Sequence, residues 1–151
     1  MVKIIPYPLT YRQTYRTGVE SDYTSGTVNA SGSTDIIDIS SAKGVLHGFQ
    51  IEVEDVDLVD MEIKIIVDGT TIADLLGTGI VALFSTVVAD ISPPIYGYPW
   101  RILNLDTTNK RYSFAFQGPV KFNSSLKITL INNNTSTSLS YRFQPVIEKS
   151  V

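Results

Sequence analysis

From Gly44 to Glu54 the chain alternates in polarity at nearly every step. Val45, Phe49, Ile51 and Val53 fall on one parity, and Gly48, Gln50, Glu52 and Glu54 on the other. Met61 to Gly69 repeats the rule, with Met61, Ile63, Ile65 and Val67 set against Glu62, Lys64 and Asp68; Ile66 interrupts it. A period of two is the mark of a strand with one dry and one wet face. Dry faces of this kind are buried by packing two sheets together.

Similar segments fill the rest of the chain, at turn spacings of roughly 8–12 residues. Thr27 to Ser31 reads as a polar outer strand, broken by Gly32, and Thr34 to Ile39 as the next. Asp68-Gly69 is a tight-turn signal returning into Thr70 to Ile72. Trp100 to Leu105 is a strand, and Asp106 to Asn109 a turn. Arg111 to Gln117 places Tyr112, Phe114 and Phe116 on one face, and Gly118-Pro119 is expected to break the strand. Leu126, Ile128 and Leu130 alternate with Lys127 and Thr129, and Leu139, Tyr141 and Phe143 with Ser140, Arg142 and Gln144. Ala73 to Gly79 has room for a helical turn, and Ile80 to Ala89 reads as a buried strand or a short helix. The crossover helices of a parallel α/β fold are missing. The expectation is all-β: one antiparallel β-sandwich over residues 25–151.

Residues 1–24 read differently. They hold Pro6, Pro8, Tyr7, Tyr11, Tyr15, Tyr23, Lys3, Arg12 and Arg16, with no acid before Glu20. The prolines favour extended backbone, so this segment is expected to be an N-terminal arm. Tyrosine and arginine are the side chains that most often anchor interfaces. Tyr7, Tyr11, Arg12, Tyr15 and Arg16 are therefore the expected subunit contacts.

Composition removes several function classes. The chain has 151 residues and a net charge of −3, without the basic excess that nucleic-acid binding requires. It has no cysteine, which excludes disulfides and thiolate chemistry. No signal-peptide run opens it, and no stretch reaches the ~18 apolar residues of a membrane span. Charged residues make up 18%, below the roughly 25% of ordinary soluble domains. A surface built from Ser, Thr, Asn and Tyr suits close contact between copies, since less charge has to be desolvated.

Candidate sites are sparse. His47, the sole histidine, shares the parity of Val45 and Phe49. A metal or general-base role lacks a second histidine or a cysteine to work with, so a structural histidine is expected. Glu52, Glu54, Asp55, Asp57, Asp60 and Glu62 surround one turn. They could hold calcium, or two could act as a glycosidase pair, but the glycine and ligand spacing of a calcium loop is absent. The plain alternative is a solvated turn whose charges keep sheet edges from pairing. Tyr96, Tyr98 and Trp100 could stack on sugar rings as a ligand-binding set; the alternative packs Trp100 at the end of the core. Neither a catalytic residue nor a metal site nor a cofactor is assigned.

The order of these segments supports a resemblance. Gly32-Ser-Thr-Asp-Ile-Ile-Asp-Ile39 precedes Gly44-Val-Leu-His-Gly-Phe-Gln-Ile51 and Ile63-Lys-Ile-Ile-Val-Asp-Gly-Thr-Thr-Ile72. Phe122-Asn-Ser-Ser-Leu-Lys-Ile-Thr-Leu-Ile-Asn132 and an aromatic closing strand follow. Residues 26–147 resemble small jelly-roll structural proteins of tailed phages and of archaeal or thermophilic viruses. The resemblance implies a jelly-roll topology and a non-enzymatic virion component: a capsid, turret or tail subunit located in the virion. Its partners would be copies of itself and other virion proteins. The alternative is a carbohydrate- or receptor-binding sandwich, with a glycan as partner.

Overall fold

The computed structural model describes residues 19–20, 23–83 and 99–150. Its elements are β1 (Val19–Glu20), β2 (Thr24–Val28), β3 (Ser33–Ser40), β4 (Lys43–Glu54), β5 (Met61–Val67), β6 (Thr70–Leu76), α1 (Gly77–Ala82), β7 (Trp100–Asp106), β8 (Arg111–Phe122), β9 (Ser125–Asn132) and β10 (Leu139–Ser150). Every strand pairing among them is antiparallel. The strands form two sheets. One is six-stranded in the order β1-β10-β4-β8-β7, with β2 also on β10; the other is four-stranded in the order β3-β9-β5-β6. The all-β sandwich is therefore as expected.

Four of the pairings are nested. β5 pairs with β6, β4 with β8, β3 with β9 and β2 with β10. The chain thus forms one long antiparallel ribbon whose successive strand pairs lie alternately in the two sheets. β4 on β10 and β5 on β9 then close each sheet side by side.

The core lies between the sheets. Phe49, Ile51, Val53, Ile63, Ile65, Tyr112, Phe114, Phe116, Leu126, Ile128, Leu130 and Phe143 are buried, as their alternation predicts. Val67 and Tyr141 share that parity and pack, half-buried, at its border. Each full burial of such a side chain contributes roughly 1.5–3 kcal/mol against the entropy of ordering the chain. Val56 and Leu58 also enter the core, from the loop after β4 rather than from a strand. Asp55 turns the chain there with a φ of 81°.

Turn chemistry fixes the register. Asp68 and Gly69 have φ of 50° and 81°, the paired positive values of the tight hairpin turn that matches strand twist. Ser31 is also left-handed, and Gly32 N–H donates to Asn29 O at 3.0 Å. Residues 29–32 are consequently a turn, and the polar strand expected at Thr27 to Ser31 lies earlier, at Thr24–Val28. The short helix is α1, with Ile80 and Val81 buried. Of the apolar run that begins at Ile80, residues 84–89 lie outside the described residues.

Two expectations need correction. Gly118-Pro119 does not end β8, which runs on to Phe122. The ladder with β4 shifts register there: Gly48 faces Gln117, whereas Leu46 faces Val120. That bulge absorbs the residue without an N–H. A Cβ at Gly118 would lie 2.2 Å from Leu46 O, so glycine is what lets the strands approach. The same bulge inverts the parity of β4. Leu46 points inward with no exposure, while Val45 and His47 are only half-buried; the alternation read from Val53 back to Val45 does not survive the inserted step. The closing strand, β10, continues past the alternating residues through Pro145 to Ser150. Pro145 falls between residues 139–143, which pair with β2, and residues 147–148, which pair with β1. A proline is tolerated at such a break in the ladder.

Candidate binding face

The six-stranded sheet turns a polar face outward, and register brings its side chains into rows. Ser140, Glu54, Arg111 and Asp106 are successive partners across β10, β4, β8 and β7. Arg142, Glu52, Ser113 and Asn104 form the next row, and Gln144, Gln50, Ala115 and Arg101 the third. Val146, Gly48 and Gln117 follow.

Each arginine of the first two rows is paired with a glutamate on β4. Arg111 lies 2.8 Å from Glu54, and Arg142 2.8 Å from Glu52. The Ser113 hydroxyl donates to Glu52 at 3.3 Å. Toward the other end, Arg101 donates to the Gln117 carbonyl, and His47 Nε2 lies 3.2 Å from Glu148 Oε2. His47 is thus a side chain paired across the sheet at the bulge, in keeping with the structural role expected of it.

Three adjoining cavities lie on this face. One of about 420 Å³ is lined by His47, Gly48, Gln50, Arg101, Ala115, Gln117, Gln144 and Val146. A second, about 210 Å³, is bounded by Tyr23, Gln50, Glu52, Ser113, Arg142 and Gln144. The third, about 420 Å³, is reached past Tyr23, Glu52 and Arg142 toward Ser25 and Thr27 on β2. Shared walls make them a single trough. A fourth cavity, about 440 Å³, lies between the edges of the two sheets, lined by Ile72, Asp74, Leu75, Leu83, Trp100 and Val120, and meets the first at Phe116 and Gln117.

Tyr7, Tyr11, Arg12, Tyr15, Arg16, Tyr96 and Tyr98 lie outside the described residues. Trp100 is 3% exposed, with its ring edge-on to Phe49 at 5.9 Å and to Phe116 at 5.1 Å. The acids around the turn separate onto different partners. Besides Glu52 and Glu54, Asp57 pairs with Lys110 at 3.2 Å, Asp60 accepts from Asn134 at 2.8 Å, and Glu62 from Asn133 at 2.9 Å. Among the described residues no cluster of three or more His, Asp or Glu is placed to hold a metal ion.

Carboxylates with lowered pKa values stand at turns and on the other sheet. Asp68 is held at about 2 by the backbone N–H groups of Asn123, Ser125 and Ser124. Asp106 is lowered by Asn109, whose side chain and backbone both donate to it. Asp35 is lowered by the Thr129 hydroxyl, assisted by Lys127. These are the signatures of tied-down loops and strands rather than of an acid–base pair. The trough went unread in the sequence because its rows exist only once the register of four strands is known. The alternation Gln50, Glu52, Glu54 was visible; its alignment with Gln144 and Arg142 was not.

No family model matches the chain, and no curated protein matches it. Among solved structures the chain is similar to the Clostridium perfringens CspB protease, with 9% identity and a TM-score of 0.41. The alignment covers 82% of this chain and 25% of that one. A likeness at that level carries no argument about activity. Among the described residues no helix is long and apolar enough to cross a membrane.

Proposed function

We propose that the chain is a non-enzymatic structural subunit of a virion, of jelly-roll type, whose copies assemble with one another as a capsid, turret or tail component. The nested pairing of β2 with β10, β3 with β9, β4 with β8 and β5 with β6 supports the topology, since a jelly roll is a ribbon of this kind wound into two sheets. Fold alone says little about function, so the reading needs a surface suited to copies.

The observation that carries it is the edge strand β6. Among the described residues it ends the four-stranded sheet, and it bears Ile72 at 47% and Leu76 at 37% exposure. It carries one charge, the exposed Asp74, which lies 3.7 Å from Lys64 of β5, and no lysine or proline. The opposite edge, β3, carries Asp35 and Asp38, which Lys127 bridges. Ile72 also lines the apolar cavity between the sheet edges. A strand edge bearing exposed Ile72 and Leu76 beside a largely apolar hollow fits a second copy of a chain whose surface is short of charge. The arm supplies the other contacts, through Tyr7, Tyr11, Arg12, Tyr15 and Arg16. Electron microscopy of the purified protein in negative stain tests the reading. A regular assembly supports it, and a field of uniform monomers opposes it.

A further inference from the structure

We infer that the trough on the outer face of the six-stranded sheet is a saccharide-binding site. The inference does not rest on the assembly reading, which uses the edge strand β6 and the hollow that meets the trough at Phe116 and Gln117.

The floor of the deepest part is made by the smallest side chains of the face. Ala115 lies in line with Gln144, Gln50 and Arg101, and Gly48 in line with Val146 and Gln117. Gly48 is required for a packing reason: a Cβ there would lie 2.6 Å from Phe116 O. The close strand approach at the bulge therefore also removes a side chain from the surface. What remains is a hollow of about 420 Å³, within the range of small-ligand pockets, about 300–1,000 Å³.

Around that floor stand three exposed primary amides, Gln50, Gln117 and Gln144. An amide donates and accepts at once, which is what a hydroxyl-bearing ligand asks of its site. Arg101 donates to Gln117 and so fixes which end of that amide faces the hollow. The nearest charges are already engaged, Arg101 with Gln117 and His47 with Glu148. A neutral ligand meets less desolvation cost there than an ionic one. The Ala115 methyl and Val146, 40% exposed, offer apolar contact for the C–H face of a sugar ring. The hollow runs on past Gln50 and Gln144 toward Tyr23, which is 57% exposed. Its length suits a linear oligosaccharide rather than a single ring.

An extended peptide fits less well. The floor of the trough lies on β4 and β8, each of which is already paired on both sides, so no free edge is available there for strand addition. It also lacks the deep apolar pockets that anchor peptide side chains.

The test is titration calorimetry of the full chain against linear gluco-, xylo-, manno- and galacto-configured hexasaccharides. The variants are Gln50→Ala, Gln144→Ala and Ala115→Leu. The first two remove hydrogen bonds at the rim, and the third fills the floor from an outward position. Saturable binding to at least one saccharide is expected, weakened about tenfold by each amide variant and abolished by Ala115→Leu. Ile72→Lys, on the far edge, should bind as the parent does. If Ala115→Leu fails to fold, the two amide variants carry the result. The proposal is overturned if no saccharide binds, if binding survives both amide changes, or if a synthetic peptide of residues 2–17 occupies the trough instead.

Discussion

Asp68 binds Ser124 twice: Oδ1 accepts from its backbone N–H at 2.7 Å and from its hydroxyl at 3.0 Å. The same carboxylate takes the N–H groups of Asn123 and Ser125. It therefore ties the turn between β5 and β6 to the turn between β8 and β9. An aspartate needed for a tight turn also closes one end of the sandwich.

This clamp makes stability depend on pH. The folded pKa is about 2 against an ordinary 3.8, so the folded state prefers the carboxylate. The contribution is complete above the ordinary value and is lost as pH falls through it toward about 2. Asp106 and Asp35 are shifted in the same direction, so the variant must be compared with the parent. Asp68→Asn should flatten the loss of urea midpoint between neutral and acid pH. An unchanged acid slope would mean that the clamp does not form.

Asn132 is 1% exposed and sits at the close of β9. Its amide nitrogen donates to Val28 O, Asn29 O and Thr137 O, and its oxygen accepts from Asn134 N–H. Asn132→Ala removes a donor from the buried Val28 carbonyl and from the part-buried carbonyls of Asn29 and Thr137, at a cost of roughly 1–3 kcal/mol. Urea denaturation should show the midpoint fall with little change in slope. A loss below about 1 kcal/mol, the net worth of one ordinary hydrogen bond, would contradict the assigned network.

Two glycines separate packing from conformation. A Cβ at Gly44 would lie 2.1 Å from Glu148 O and 2.5 Å from the Phe122 ring. Gly69 has nothing within 4 Å of that position but a φ of 81°. Gly69→Ala should cost about 1–2 kcal/mol for the left-handed backbone alone. Gly44→Ala should cost more, or prevent folding, because three strands meet there. Thermal melts that rank the two in reverse order would place β10 wrongly against β4.

Phe49 touches three rings, with centroids 5.9 Å from Trp100, 5.4 Å from Phe116 and 5.3 Å from Phe143. Phe49→Ala should lose about 3–5 kcal/mol. Trp100 is the sole tryptophan, so its emission reports on this cluster directly. Parent emission should be blue-shifted and move to the red in the variant. Water-like emission from the parent would contradict the burial of Trp100.

The alternation from Phe49 to Val53 and from Met61 to Val67 was enough to read the sandwich and most of its core. It was not enough at His47, because a bulge is a property of two strands and leaves no mark on the period of one. Gly118-Pro119 read as a strand end for a related reason. A residue without an N–H is excluded from a regular ladder, but β8 is irregular where this proline falls. Val56 and Leu58 reach the core from a loop, where no periodicity announces burial. The trough depends on which residue of β10 lies beside which residue of β4, and that was settled by turns far from both.

Sedimentation velocity on the purified full chain, over a range of concentrations, tests the central claim most directly. The proposed function predicts a discrete oligomer or larger regular assembly. It predicts folded monomers for Ile72→Lys and for the chain lacking residues 2–17, each with the parent's β-rich circular dichroism. A parent chain that stays monomeric at every concentration, or variants that assemble as fully as the parent, would contradict it.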